Sequence, residues 1–134
     1  MIEENVAKLF DIYSINNDIK LNITKKKIPK QPKENYYGNR EYKYKLININ
    51  KLKLEKRATQ CLFRLYEGNG KAMYILGIDD NGNILGLEKI ELLLSLKNIN
   101  KIFKIIEAKV YKISVYETET DKYCVIIKIK KTLI

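Results

Sequence analysis

The sequence predicts an α+β fold of about five mostly antiparallel strands, with two core helices on one face of the sheet. Two long segments repeat their apolar residues at helical spacing, and several shorter segments alternate apolar and polar residues as half-buried strands do. Short polar turns separate the last strands, so neighbouring strands are expected to pair as hairpins. With 134 residues, the chain is long enough for one compact domain.

The first 40 residues are predicted to lie outside this domain, which is assigned to residues 41–134. Apolar residues recur at helical spacing over residues 1–15, which predicts a short amphipathic helix. Residues 16–40 have little aliphatic bulk and are predicted as a flexible basic linker. This linker contains two prolines and the consecutive lysines Lys25, Lys26 and Lys27. It is either a solvated tail or an arm that becomes ordered on a nucleic acid.

The compact domain is predicted to begin with a strand and a helix. Over residues 41–46, tyrosine and leucine alternate with lysine, which is the period of a strand with one buried face. A single apolar stripe then runs from Leu54 to Leu65 at helical spacing. This helix is expected to end at Gly68 or Gly70, because glycine is a common helix stop.

Two hairpins separated by a second helix are predicted for the rest of the chain. The first hairpin turns at Asn81-Gly82, because this dipeptide favours the positive φ angles of a tight turn. The predicted segments, in chain order, are strands over 71–79 and 84–87, a helix over 88–107, and strands over 110–116 and 123–131. The solvent side of the second helix is expected to carry Glu91, Ser95, Asn98 and Lys101.

Composition excludes several classes of function. The chain has no histidine, which removes histidine-based catalytic triads and the commonest zinc ligand. Cys61 and Cys124 each lie within an apolar pattern and are expected to be reduced core residues. No apolar stretch approaches the roughly 18 residues of a membrane span, and acidic residues near the start interrupt any signal peptide. We therefore expect a cytoplasmic protein with no membrane contact, no metal and no other cofactor.

Two stretches resemble ligand-binding loops without meeting their requirements. Residues Gly68 to Ala72 end like a phosphate-binding loop, but Leu65 replaces its first glycine and Ala72 replaces its final hydroxyl residue. A calcium-loop spacing that begins at Asp79 lacks the sharp-turn glycine and the bidentate glutamate. The carboxylate pair of Asp79 and Asp80 has no further catalytic group beside it in the pattern. The chain is therefore not expected to be an enzyme.

The formal net charge of +10 indicates a protein that meets phosphate groups. Only three of the 26 basic residues are arginines. Lysine enrichment of this kind is also expected from an AT-rich coding sequence, so charge by itself leaves both explanations open.

Three groups of basic residues are candidate nucleic-acid contacts. The first helix of the domain carries a polar stripe that consists of Lys53, Arg57, Gln60 and Arg64. The strands carry lysines that alternate with core residues and are expected on the open face of the sheet, namely Lys43, Lys45, Lys112, Lys128 and Lys130. The third group is the linker run Lys25, Lys26 and Lys27. The alternative roles are an ordinary solvated surface and protection of exposed strands against aggregation. The aromatic residues placed for stacking on a base are Tyr36, Tyr37 and Tyr66.

Two runs in the middle of the chain carry a family resemblance. The first reads Arg-Leu-Tyr-Glu-Gly-Asn-Gly-Lys-Ala-Met-Tyr, and the second reads Gly-Ile-Asp-Asp-Asn-Gly. The residues that define them are Arg64, Glu67, Gly68, Gly70, Tyr74, Gly77, Asp79, Asp80 and Gly82. With their flanks, they make about half of the chain similar to the N-terminal domain of the eukaryotic GTP-binding protein 1 and 2 class, which are translational GTPases related to elongation factors.

The resemblance implies a non-catalytic accessory domain. The phosphate loop and the guanine-reading Asn-Lys-x-Asp motif of that class do not occur in this sequence. The implied role is in translation, through contact with RNA or the ribosome. Two alternatives stay open, a protein-interaction module that docks on a GTPase domain or a regulatory partner, and a fragment of an active GTP-hydrolysing protein. The segment from Lys71 to Leu87 is also similar to the divergent nucleic-acid-binding domain shared with Schlafen proteins.

Overall fold

The computed structural model describes residues 2–14 and 18–133. Within these ranges the chain forms three helices and five strands. In chain order they are α1 (Ile2–Leu9), β1 (Lys20–Thr24), β2 (Arg40–Lys43), α2 (Lys51–Glu67), β3 (Lys71–Leu76), α3 (Lys89–Ile105), β4 (Lys109–Glu117) and β5 (Tyr123–Lys130).

The five strands form one mixed sheet in the order β1-β4-β5-β3-β2. β3 and β4 pair antiparallel with β5, whereas β1 runs parallel to β4 and β2 runs parallel to β3. The predicted α+β class, the number of about five strands, the two core helices and the N-terminal helix are confirmed. The sheet is mixed rather than mostly antiparallel. One reason is that β2 and β3 are joined by α2, and a helical crossover returns the chain in the same direction.

α2 and α3 cover one face of the sheet and bury the larger core. Tyr74, Ile113 and Ile127 form one row of cross-strand neighbours on that face. The Tyr74 ring packs edge to face on Phe103 of α3, with the two ring centroids 5.5 Å apart. α1 packs against α3 and contributes the buried Val6 to the same core.

Two residues predicted on the solvent side of α3 are buried instead. Ser95 Oγ accepts the N–H of Leu46 at 3.0 Å, and Asn98 Nδ2 donates to the Leu46 carbonyl at 2.6 Å. Leu46 lies beyond the end of β2, so its N–H and carbonyl groups have no partner in a neighbouring strand. The side chains of Ser95 and Asn98 supply the missing hydrogen bonds. The predicted solvent stripe is therefore wrong at Ser95 and Asn98.

One predicted strand is replaced by another. Residues 84–87 form no strand within the described structure and make only single bridges, to Ile78 and Tyr123. Asp79 Oδ1 accepts the N–H groups two and four residues later, each at 2.9 Å, which closes a compact turn where a hairpin ladder was predicted. The strand that takes its place in the sheet is β1, which lies within the segment predicted as a linker. β1 pairs with β4.

The segment from β1 to β2 crosses the face of the sheet that the helices leave free. Ile28 of this segment packs in a second apolar cluster with Tyr42, Ile75 and Ile126. Tyr42 Oη donates to the Pro32 carbonyl at 2.7 Å. The prediction of a flexible linker is therefore wrong at β1. The predicted division of the chain at residue 40 stays a prediction, and residues 15–17, where helix and linker were expected to meet, lie outside the described residues.

Candidate nucleic-acid interface

Seven basic side chains share one half of the outer face of the sheet. Lys128 lies between Ile127 and Ile129, which belong to the helix-side core, so its side chain points to the opposite face. Cross-strand partners share a face, and the first row across the sheet is therefore Lys20, Lys112, Lys128, Met73 and Arg40. The next row is Lys109, Lys130 and Lys71. The seven basic members of these rows are termed the lysine face.

The lysine face concentrates positive charge without acidic partners. Among residues 2–14 and 18–133, no carboxylate oxygen lies within 4.0 Å of any of its charged nitrogens. Lys112 stands directly opposite both Lys20 and Lys128, and like charges in this position destabilise a sheet. The first row crosses five strands, or about 20 Å at the usual strand spacing. A polyanion laid along the rows would relieve the repulsion.

A β-bulge adds an aromatic ring to the lysine face. The register between β4 and β5 shifts between Val110 and Lys112, which leaves Tyr111 as the extra residue. The Tyr111 ring centroid lies 6.0 Å from Lys71 Nζ and 5.6 Å from Lys130 Nζ. The ring is therefore placed among the lysines and not in either apolar cluster.

Of the five strand lysines predicted on the open face of the sheet, three lie there and two do not. Lys112, Lys128 and Lys130 lie there together. Lys43 and Lys45 do not lie there, because the residues of β2 that face outward are Arg40 and Tyr42, one position out of phase with the lysines.

Lys43 and Lys45 lie on the helix side and pair with acids. Lys43 Nζ is 3.1 Å from Glu41 Oε2, an ion pair without hydrogen-bond geometry. Lys45 Nζ donates to Glu91 Oε2 at 2.8 Å. This hydrogen bond raises the pKa of Lys45 and lowers the pKa of Glu91. Their predicted place on the open face is wrong.

Arg64 is buried and does not belong to the exposed stripe predicted on α2. Its side chain is 4% exposed, and its Nε donates to Glu41 Oε1 at 2.8 Å. Its Nη1 donates to the three carbonyls of the loop 36–38 at 3.4, 3.1 and 3.0 Å. Its Nη2 lies 3.8 Å from Glu34 Oε2. These three residues with the loop 36–38 are termed the Arg64 cluster, and within it the arginine charge is compensated inside the protein.

The remaining predicted contacts lie on other surfaces and stay predictions. Lys53 is exposed on α2, and the half-buried Arg57 donates to Gln60 Oε1 at 3.4 Å. The lysine run 25–27 follows β1 at the other end of the sheet and lines a cavity of about 240 Å³ together with two glutamates. The structure therefore does not bring these groups together with the lysine face.

Four members of the lysine face were missed by the sequence analysis. Each is the first residue of a strand, and the four are Lys20, Arg40, Lys71 and Lys109. All four of these strands run in the same direction, so their first residues meet at one end of the sheet. The signal in the sequence is a basic residue at the start of each of these strands. This signal can be recognised only when β1 and the parallel strand pairings are known.

Metal-ligating residue types and cysteines within the described ranges bear on the predictions of no metal and of reduced core thiols. No group of three or more His, Cys, Asp or Glu among them is placed to hold a metal ion. No helix in the described ranges combines the length and apolarity needed to cross a membrane. Cys61 and Cys124 are free and buried, as predicted, and burial raises the pKa of the first thiol to about 12 and of the second to about 11.

The chain is similar in sequence to a part of GTP-binding protein 2. It is 37% identical over 93 residues to this protein from Mus musculus and from Homo sapiens, which is 69% of this chain and 15% of each relative. It is also 35% identical over 83 residues to the uncharacterized protein R625 of Acanthamoeba polyphaga mimivirus, which is 61% of this chain and 45% of that protein. The similarity supports a relationship to the GTP-binding protein 1 and 2 class. No family model and no solved structure matches the chain.

The residues that carry the resemblance hold the segment before β2 in place. Besides the Arg64 contacts, the Glu67 carboxylate accepts the N–H of Gly38 at 3.2 Å. A Cβ atom on Gly68 would lie 2.6 Å from Asn39 Cβ, so only glycine fits there. These contacts fix residues 38 and 39 immediately before the strand begins.

The second run of the resemblance holds an earlier part of the same segment. The Asp80 carbonyl accepts the N–H of Glu34 at 2.7 Å. Gly82 has φ +83° and lies against the Gln31 carbonyl, where a Cβ atom would overlap the oxygen. The remaining motif residues shape β3 and the turn after it, and they are Gly70, Tyr74, Gly77 and Asp79. None of the motif residues lies on the lysine face.

Proposed function

We propose that this chain is a non-catalytic accessory domain that binds RNA, free or within the ribosome, electrostatically through the lysine face. The observation that carries the proposal is the cross-strand register that places seven basic side chains on one surface without a carboxylate of the described residues within 4.0 Å. Phosphate groups are the natural partners of such a surface, because each contact releases a condensed counterion. Contacts to phosphates fix position and carry little sequence information, so weak sequence preference is expected.

The direct test is RNA binding by the purified chain over a salt range of about 50 to 200 mM. Affinity of the wild-type chain should fall steeply with salt. Replacing Lys112, Lys128 and Lys130 together by glutamate should weaken binding at least about tenfold and flatten the salt slope by about two, because about three phosphate contacts are lost.

A charge-matched variant controls for net charge. Lys97, Lys101 and Lys104 are exposed on α3, in the helical layer on the other side of the sheet, and their replacement by glutamate changes the net charge by the same amount. This variant should retain most of the affinity. Equal weakening by both variants, or wild-type binding that is unmeasurable or independent of salt, would remove the proposal. The α2 surface predicted from the sequence is tested in the same assay with Lys53→Glu and Arg57→Glu.

The similarity to GTP-binding protein 2 supports a place for this domain in a GTP-binding protein. We propose that it corresponds to the N-terminal domain of that class and acts in translation in the cytoplasm, and that the segment from Lys71 to Leu87 is related to the Schlafen-type nucleic-acid-binding domain. The isolated chain should then neither bind nor hydrolyse GTP. Turnover of GTP by the purified 134-residue chain would instead favour a fragment of an active GTPase.

A protein-interaction module is the second candidate function, and an exposed apolar patch supports it. Ile90 and Leu94 are exposed one turn apart on α3 and line a cavity of about 410 Å³ with Leu9 of α1. The expected partner is a GTPase domain. Replacing Ile90 and Leu94 by lysine should abolish a nuclease-insensitive association with that domain, and unchanged association would remove this candidate.

A further inference from the structure

Tyr36 and Tyr37 are exposed aromatic residues on a backbone that is held from inside the protein. Their side chains are 77% and 64% exposed. The loop 36–38 that carries them receives three hydrogen bonds from Arg64 and donates one to Glu67. An exposed ring gains little from the hydrophobic effect, so packing does not explain why two tyrosines occupy an anchored loop.

The two tyrosine rings form a small aromatic surface with Phe63 of α2. The centroids of Tyr36 and Tyr37 are 5.1 Å apart and the ring planes cross at 83°. The Tyr36 centroid lies 6.4 Å from that of Phe63, which limits the directions in which the first ring can turn. The pair thus presents ring surface to solvent on an anchored backbone, as a stacking platform requires.

The tyrosine pair lies directly beside the lysine face. Asn39, two residues after Tyr37, accepts the N–H of Met73 through its carbonyl at 2.9 Å and donates its side-chain amide to the Lys71 carbonyl at 3.2 Å. The next residue is Arg40, which belongs to the lysine face. Tyr37 and Arg40 line one cavity of about 330 Å³. An extended ligand on the cationic rows therefore reaches the rings where it leaves β2.

We infer that the tyrosine pair stacks the bases of single-stranded RNA whose phosphates lie on the lysine face, an inference that rests on the function proposed above. Aromatic rings stack on any base, but only on bases that are free of a duplex. In double-stranded RNA the bases are already stacked on each other, and only the phosphates and the groove edges are presented. The domain should therefore prefer single strands to duplexes, and the Arg64 cluster acts as the support that holds the platform beside the cationic rows.

The test compares a short oligouridine with an RNA duplex of the same length by fluorescence anisotropy, using the full chain. The wild type should bind the oligouridine more tightly. The double variant Tyr36→Ala and Tyr37→Ala should lose about tenfold or more in affinity for the oligouridine and little for the duplex, because a stacked base contributes mainly through the ring. Tyr36→Phe and Tyr37→Phe should retain the preference, since the ring is kept. Tyr13→Ala, at an equally exposed tyrosine after α1, is the matched control and should bind like the wild type.

An abasic oligomer of the same length gives a second measurement that needs no variant. The wild type should bind it as weakly as the double alanine variant binds the oligouridine. The stacking inference would be overturned if the wild type bound the oligouridine no more tightly than the abasic oligomer or the duplex. In that case, salt-dependent binding to these RNAs would still support the lysine-face proposal. If the wild type binds none of the RNAs, the proposed function itself fails.

Discussion

The Arg64 cluster and the lysine face hold basic side chains in opposite environments, the first between α2 and the segment around β2, and the second on the outer face of the sheet. The Arg64 side chain is 4% exposed and is surrounded by two glutamates and three carbonyls. The lysine face is largely exposed, and no carboxylate of residues 2–14 and 18–133 lies within 4.0 Å of its charged nitrogens. A basic residue in this chain therefore acquires its role from the groups that the fold places around it, and not from its charge alone.

The chemistry of the two side-chain types fits this division. A guanidinium offers five N–H donors in a planar fork, and burial is tolerated when carboxylates and carbonyls meet these donors. Arg64 satisfies that condition with Glu41, the loop 36–38 and the nearby Glu34. A lysine ammonium is a compact and strongly hydrated charge, which suits an exposed surface that meets phosphates. In the first region the charge is compensated within the protein, and in the second region it is not compensated by a carboxylate of the described residues.

The largest effect is expected when the buried region loses its cation. Arg64→Met should lower the free energy of unfolding by about 3 to 5 kcal/mol, because Glu41 is then left buried without its main partner. Urea denaturation followed by circular dichroism measures the change. Arg57→Met, on the more exposed side of the same helix, is the control and should change stability by no more than about 0.5 kcal/mol. Similar losses in the two variants would show that Arg64 is no more structural than its neighbour.

A smaller effect of opposite sign is expected on the lysine face. Lys112→Gln removes one member of two directly opposed lysine pairs, so the free energy of unfolding should rise by roughly 0.2 to 1 kcal/mol at low salt. The same variant should bind RNA more weakly than the wild type. Thermal unfolding and RNA titration on one preparation measure both quantities. A loss of stability would mean that Lys112 has a structural role like that of Arg64, and the contrast between the two regions would not hold.

The sequence predicts an element well when the pattern of apolar residues within that element is long enough to identify it. The two core helices and the β4–β5 hairpin follow from long periodic patterns, and the structure confirms them. β1 has only five residues, and its apolar pair Leu21 and Ile23 becomes meaningful only when β4 lies beside it. The lysine face depends on that pairing, so only its part in β4 and β5 was predicted.

The buried polar residues are missed for a different reason. Arg64 lies beside the apolar stripe of α2, and helical spacing gives no sign that two glutamates from the preceding segment will meet it. Ser95 and Asn98 of α3 are buried against Leu46, where they bond to its backbone N–H and carbonyl groups. Each case depends on a distant loop whose conformation the periodic pattern does not specify. Sequence periodicity therefore predicts which elements form, while the polar contacts between elements need the three-dimensional structure.

The smallest effect concerns the Lys45–Glu91 pair, whose half-buried side chains lie between the two extremes. The hydrogen bond from Lys45, with a further one from the N–H of Glu88, lowers the pKa of Glu91 below its ordinary value of 4.5. The folded state thus releases this proton more readily than the unfolded chain. The resulting stabilisation is fully present above pH 4.5 and is lost as the pH falls through the lowered pKa.

Glu91→Gln removes this titration and should therefore be less stable than the wild type at pH 7, with a difference that shrinks as the pH falls below 4.5. Urea unfolding at a series of pH values measures the difference. Added salt should also shrink this difference at neutral pH, because the pair is partly accessible to solvent and therefore partly screened by ions. The loss caused by Arg64→Met should respond little to salt, because Arg64 and Glu41 are buried. A difference between Glu91→Gln and wild type that stays constant with pH would mean that Glu91 acts through the start of α3 and not through its charge. The Lys45–Glu91 pair would then not stand between the buried Arg64, which has acidic partners, and the lysine face, whose charged nitrogens have none among the described residues.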